Sequence, residues 1–399
     1  MKLFSKFFLF FCFFIGFFSN FGNLAQVFQI LSVSFLIIAA IFALVSNAIK
    51  KINISYIELL FFIIGIVSLM VGLTKTDNIY LASFSVIYLF AISSIIILVR
   101  YLSLDEVLRC LAFSYIFIII YILLTDFNNF IFSLGVGEVY GKGFIRFQPL
   151  DLHPNLTGFI FSAGIILFLI IQKFEVGFLK KTSWLFLLLC ILFVLSASAR
   201  AGLLACFLTI LFVILRNLNI FIIMDNYKKI IFSLLFFIPV LVFYFDDLIN
   251  YIIKILELDS DTRGIDSGGT GRVELWKMGI NHISSNSSIN SILGEGLRAS
   301  SADVIGFSTE SSYITIIIEH GLILGSLLII SIYFFVLVSF FNLKRKNNIH
   351  LVFFVFLFYA CIQSIFNRYL IAIGNPFSIF LIILLFYYSK RFIFLAKSS

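Results

Sequence analysis

An all-α integral membrane protein of about twelve transmembrane helices is the fold class this sequence predicts, and three observations carry it. Hydrophobic residues make up 62% of the 399 and charged residues only 12%, against roughly 45–50% and about 25% in a soluble domain. Mean hydropathy is +1.14. Apolar runs near the length needed to cross a bilayer recur from end to end. Four Pro and 23 Gly exclude a collagen-like or low-complexity chain. The 54 Phe read as lipid-facing composition rather than as an aromatic site.

Taken in order, hydropathy places spans near 6–20, 27–47, 56–73, 79–99, 107–125, 154–171, 184–199, 201–215, 230–246, 321–341, 349–366 and 375–388. With the N-terminus inside, 18 of the 28 basic residues fall on the cytoplasmic side, among them Lys2, Lys6, Arg100, Lys180, Lys181, Lys228, Lys229, Arg345 and Arg391. Half of the acids, ten of 20, fall in a long outer loop near 247–320. This is the positive-inside pattern, so both termini are expected in the cytoplasm. The net charge of +8 is therefore topological and not a nucleic-acid footprint. Lys2 and Lys6 before a Phe-rich run resemble a signal peptide. Asn23-Leu24-Ala25 is a poor cleavage site, however, so an uncleaved first span is expected. The stretch 184–215 has basic residues at both ends and needs an even number of crossings, which makes it a tight hairpin with Arg200 near its outer tip. The chain divides into residues 1–246 with spans one to nine, 247–320 as the large outer loop with an amphipathic helix, and 321–399 with the last three spans.

Cys12, Cys190, Cys206 and Cys361 fall inside spans and Cys110 at a cytoplasmic end, so no disulfide is implied. His153, His282, His320 and His350 are too scattered for a metal motif, and no metal or cofactor is expected.

The outer segments carry the chemistry. Gly268-Gly-Thr-Gly271 opens a helical pattern with Val273, Trp276, Ile280 and Ile283 on one stripe. Arg272 in its first turn opposes the helix dipole, a conflict an anionic ligand relieves. The plainer reading is a loop-to-helix turn with a solvated Arg. Arg200, flanked by Ala and Ser, either faces a polar ligand or reaches to lipid headgroups. Arg146 and Arg298 stand beside glycines in outer loops. Four guanidinium groups on one side match phosphate oxygens and suggest a lipid-linked phosphate or pyrophosphate substrate. Glu310, ahead of Ser311-Ser312-Tyr313, suits a general base or a helix cap. Glu319 reads as an interfacial carboxylate, and Gly321 and Gly325 as sites of close helix packing.

The order of these motifs resembles the O-antigen ligase and O-antigen polymerase superfamily. The resemblance runs through His153-Pro154-Asn155, Arg200-Ala201-Gly202, Gly271-Arg272-Val-Glu-Leu-Trp276, Gly294-Glu-Gly296, Glu310-Ser-Ser-Tyr313, Glu319-His-Gly321 and Gly325, covering roughly 140–325. It implies a metal-independent glycosyltransferase of a bacterial inner membrane, with its loop 247–320 and active site in the periplasm. Undecaprenyl-pyrophosphate-linked glycans are the implied donor and acceptor, membrane lipid surrounds the chain, and a chain-length regulator protein is an expected partner. By the same resemblance Arg200 and Arg272 hold donor phosphates, with Arg146 and Arg298 assisting. The ligase branch carries a His where this chain has Glu310, which favours polymerisation of repeat units. Glu310 and Arg272 are then the expected catalytic residues. The alternatives are a ligase passing finished glycan to lipid A-core or another acceptor, and a transporter of lipid-linked sugars.

Overall fold

The computed structural model describes residues 1–20, 22–46, 53–74, 79–134, 146–217, 272–285, 288–300, 305–343 and 348–397. These are helical, with no strand among them. In chain order the helices are α1 (Lys2–Gly16), α2 (Ala25–Val45), α3 (Tyr56–Thr74), α4 (Ile79–Tyr101), α5 (Leu104–Thr125), α6 (Phe127–Leu134), α7 (Pro154–Phe174), α8 (Phe178–Ser196) and α9 (Arg200–Asn217). Then follow α10 (Arg272–Ser285), α11 (Ser288–Leu293), α12 (Ser312–Phe341), α13 (Asn348–Phe366) and α14 (Pro376–Lys397). Eight helices among the described residues are long and apolar enough to cross a membrane. The twelve-span count goes further than these eight. The expected span at 230–246 and the Gly268–Gly271 turn lie outside the described residues.

Local chemistry sets the helix starts. Ser103 accepts from the Glu106 backbone and Glu106 returns a bond to the Ser103 backbone, a reciprocal cap for α5. His153 caps α7 through its ring nitrogen, 3.3 Å from the Asn155 amide, and Pro154 takes the first helical position where no N–H is needed. The His153-Pro154-Asn155 motif is thus a helix start.

The centre of the bundle is α7, the most enclosed of the membrane-length helices. Its small residues explain this. A Cβ on Gly158 would lie 2.1 Å from the Ala199 Cβ, and one on Gly164 2.8 Å from Cys190 Sγ. Between membrane helices such close approach replaces the hydrophobic drive that lipid removes.

At the end where α1, α3 and α5 begin, Lys2 and Lys6 pair with Glu106 at 3.0 and 2.7 Å, and Arg109 with Glu175 at 2.6 Å. Arg100 of α4 clamps Glu58 of α3 with both nitrogens, at 2.9 and 2.8 Å, and the side chains are only 5% and 1% exposed. Breaking a buried pair by removing one partner costs about 3–5 kcal/mol. Arg100→Ala should therefore lower the thermal unfolding midpoint in detergent steeply, whereas the double change Arg100→Met, Glu58→Leu should recover most of it. Equal midpoints for the single and double variants would show that the pair does not bind α3 to α4.

Candidate functional site at the opposite end of the bundle

Because the helices alternate, the ends of α1, α3 and α5 and the starts of α2, α4, α7, α9, α12 and α14 share the opposite end. All five candidate residues lie there.

Arg146 and Arg200 meet at the α8–α9 turn. The turn expected from charge placement is present, with α9 starting at Arg200 and Ser198 at φ 51, but α8 and α9 each pack on α7 rather than on each other, so the pair is not a tight hairpin. Arg146 Nε donates to the Ala197 carbonyl at 2.9 Å, and the Phe147 amide to the Ser196 carbonyl at 3.0 Å. The segment before α7 is thereby laid across the tip, and the Arg146 guanidinium is anchored on the turn from which Arg200 starts α9.

Arg272 opens α10, and its guanidinium stands 5.7 Å from the centre of the Phe366 ring. Trp276 reaches the same ring at 6.4 Å. The expected apolar stripe is only partly turned inward. Val273 and Ile280 are exposed, while Gly279 is the buried residue, closed against Ile314 of α12. Glycine brings the two helices together where the hydropathy pattern pointed to larger side chains.

The loop 294–300 explains the other glycines. Helix α12 is broken at Gly321, which has φ 74 and ψ 172, a region open essentially to glycine alone. The break frees carbonyls that a continuous helix would use. They are taken up by the Glu295 amide on Ile318 O at 2.8 Å and the Gly296 amide on Glu319 O at 3.1 Å. Gly294 permits this approach, since a Cβ there would lie 2.4 Å from Glu319 O. Glu295 in turn holds His282 of α10 at 2.6 Å. Gly321 is therefore a helix break as well as the site of close packing the sequence suggested, since a Cβ there would lie 2.1 Å from the Ile292 carbonyl of α11.

This arrangement builds a cavity of about 110 Å³ between α2, α4, the 294–300 loop, the first turns of α12 and the 366–374 connection. Arg298, at φ 70, turns its guanidinium to Gln29 and over Phe84, 5.0 Å from the ring centre. Glu319 enters from α12 and accepts from Ser300 Oγ at 2.6 Å. Arg368 lines the same space. Burial works against the charge of Arg368, but Tyr369, Glu310 and Glu319 outweigh it and its pKa lies above the ordinary arginine value.

The chain matches no family model, no curated protein and no solved structure.

The geometry thus forms two neighbouring groups. Arg146 and Arg200 stand at the α8–α9 turn. Arg298, Arg368 and Glu319 share the cavity, with Glu310 beside Arg368 and Arg272 against Phe366, two residues away in sequence. Phe159, next to the Gly158 that seats this turn, connects them by reaching Tyr369 at 6.1 Å. Glu310 is half-buried at φ 48 and accepts from Ser308 Oγ at 3.2 Å; it does not line the cavity. It precedes Ser311, the N-cap position of α12, which makes no side-chain cap bond. His320 is buried, and neither ring nitrogen has a partner among the described residues. Sequence reasoning missed Arg368. Its one visible signal was a basic residue, Asn367-Arg368, in an outer connection between two spans.

Proposed function

We propose that this chain polymerises undecaprenyl-pyrophosphate-linked oligosaccharide repeat units on the periplasmic side of a bacterial inner membrane, within a twelve-span fold whose termini are cytoplasmic. The observation that supports this most is the gathering of Arg146, Arg200, Arg272, Arg298 and Arg368, from separate segments, at one end of a helical bundle beside two carboxylates. The growing chain on its pyrophosphate carrier is the donor, and the incoming unit supplies a sugar hydroxyl. The bond from the anomeric carbon to the pyrophosphate oxygen breaks, and the hydroxyl oxygen bonds to that carbon. The hydroxyl proton passes to a carboxylate, with Glu310 the candidate base. The carrier pyrophosphate leaves with the electron pair, and Arg200 and Arg272 stabilise its charge. Single donors aimed at such developing charge are worth about 2.7–4 kcal/mol.

One feature favours a second reading. The discontinuous α12 resembles the broken helices from which transporters build their sites. Deletion of the gene separates the alternatives. Loss of the polymerase leaves one repeat unit on each surface anchor. Loss of a ligase leaves long chains on the carrier, and loss of a transporter leaves single units on the cytoplasmic leaflet. Either of the latter two phenotypes refutes polymerisation.

A further inference from the structure

The cavity itself has a chemistry distinct from phosphate binding. Guanidinium groups donate and a carboxylate accepts, and here both kinds face one space: Arg298 and Arg368 against Glu319. A bare anion would suit the arginines but would meet Glu319; a cation would meet the arginines. A hydroxyl both donates and accepts, so neighbouring hydroxyls on a ring satisfy both kinds of group together. Tyr88 is a second, independent pointer. It is 1% exposed, it lines the cavity, and its hydroxyl has no hydrogen-bond partner among the described residues. Buried hydroxyls normally have one. Phe84, Tyr88 and Tyr369 add aromatic surface to the lining of the same space. A single water needs about 10–15 Å³, so a cavity of about 110 Å³ has room for a group of several heavy atoms.

We propose that this cavity binds a neutral sugar ring, with Arg298, Arg368, Glu319 and Tyr88 reading its hydroxyls. This rests on the reading of the chain as a glycan-handling enzyme and assigns it a saccharide pocket separate from the Arg146–Arg200 tip. Arg298 then serves the sugar, not the pyrophosphate.

The full chain in lipid nanodiscs is tested by saturation-transfer NMR. The probes are glucose, galactose, N-acetylglucosamine, N-acetylgalactosamine and rhamnose, each repeated with inorganic pyrophosphate added. At least one sugar should bind the wild type, and pyrophosphate should not displace it. Tyr88→Phe, which removes only the unpartnered hydroxyl, should weaken that sugar about tenfold, the worth of one hydrogen bond. Ala372→Phe, which places a ring in the cavity, should abolish the signal; unchanged thermal midpoints show that both variants fold. If Ala372→Phe does not fold, Tyr88→Phe alone decides. Absence of binding by every sugar, binding unaltered in the variants, or displacement by pyrophosphate overturns the proposal. The two readings fail separately. Sugar binding at the cavity in a chain whose deletion leaves polymer length unchanged keeps the pocket and removes the polymerase. Lost polymer without sugar binding does the reverse.

Discussion

Arg272→Ala is expected to abolish long-chain glycan at wild-type protein abundance, and Arg272→Lys to restore little of it. The side chain stands at the first position of α10 with its guanidinium over Phe366. Loss of one donor to a developing oxyanion lowers a rate by about 10²–10³, enough to collapse a distribution of long chains to one or a few repeat units. Lysine keeps the charge but lacks the planar fork that binds two phosphate oxygens at once and stacks on an aromatic face. Electrophoresis of the surface glycan from a complemented deletion strain, with immunoblotting for the protein, checks it. Full-length polymer at normal abundance would reduce Arg272 to a helix-start residue stacked on a ring.

Gly321→Ala should remove the folded protein rather than its activity. A Cβ at this position would stand 2.1 Å from Ile292 O and 2.5 Å from the Gly294 amide nitrogen. The conformation itself costs a non-glycine residue about 1–3 kcal/mol. Relief of the clash would pull the 294–296 loop off α12 and leave two amides and two carbonyls unpaired, each at about 1–3 kcal/mol when buried. Together these approach the whole stability of a typical domain, about 5–15 kcal/mol. Gly325→Ala is the comparison, because its nearest neighbour, Ile316 O, would lie 3.0 Å away and a small shift accommodates it. Membrane abundance and the thermal midpoint should fall far for the first variant and slightly for the second. A wild-type midpoint for Gly321→Ala would mean that the break is not a fixed part of the fold.

These two variants also mark how far the sequence could be read. The turn from which Arg200 starts α9 was legible because charge on both flanks calls for an even number of crossings, whereas the packing of α8 and α9 on α7 rather than on each other was not. The start of α10 was legible from its helical pattern, although Gly279, not Val273 or Ile280, makes the contact with α12. The break at Gly321 was not. It depends on amides at 295 and 296 meeting carbonyls at 318 and 319, a pairing that no local pattern announces. Glu319 was accordingly read as an interfacial carboxylate, whereas the break and the loop together put it in a cavity. Arg368 escaped for the same reason. Its importance comes from the fold bringing the 366–374 connection against Arg298 and Glu319, and a lone Arg between two spans carries no sign of that.

The seating of the 294–296 loop on α12 has a consequence for how such a chain can diversify. The attachment runs from main chain to main chain, so it is indifferent to which side chains the loop displays. Substitution can alter what Leu297 to Ser300 present to the cavity, and hence what it accepts, while the register of the loop stays where Gly294, Gly296 and Gly321 put it. A scaffold of this kind separates variation in recognition from variation in shape, and it confines the intolerance to three residues that have no side chain to vary.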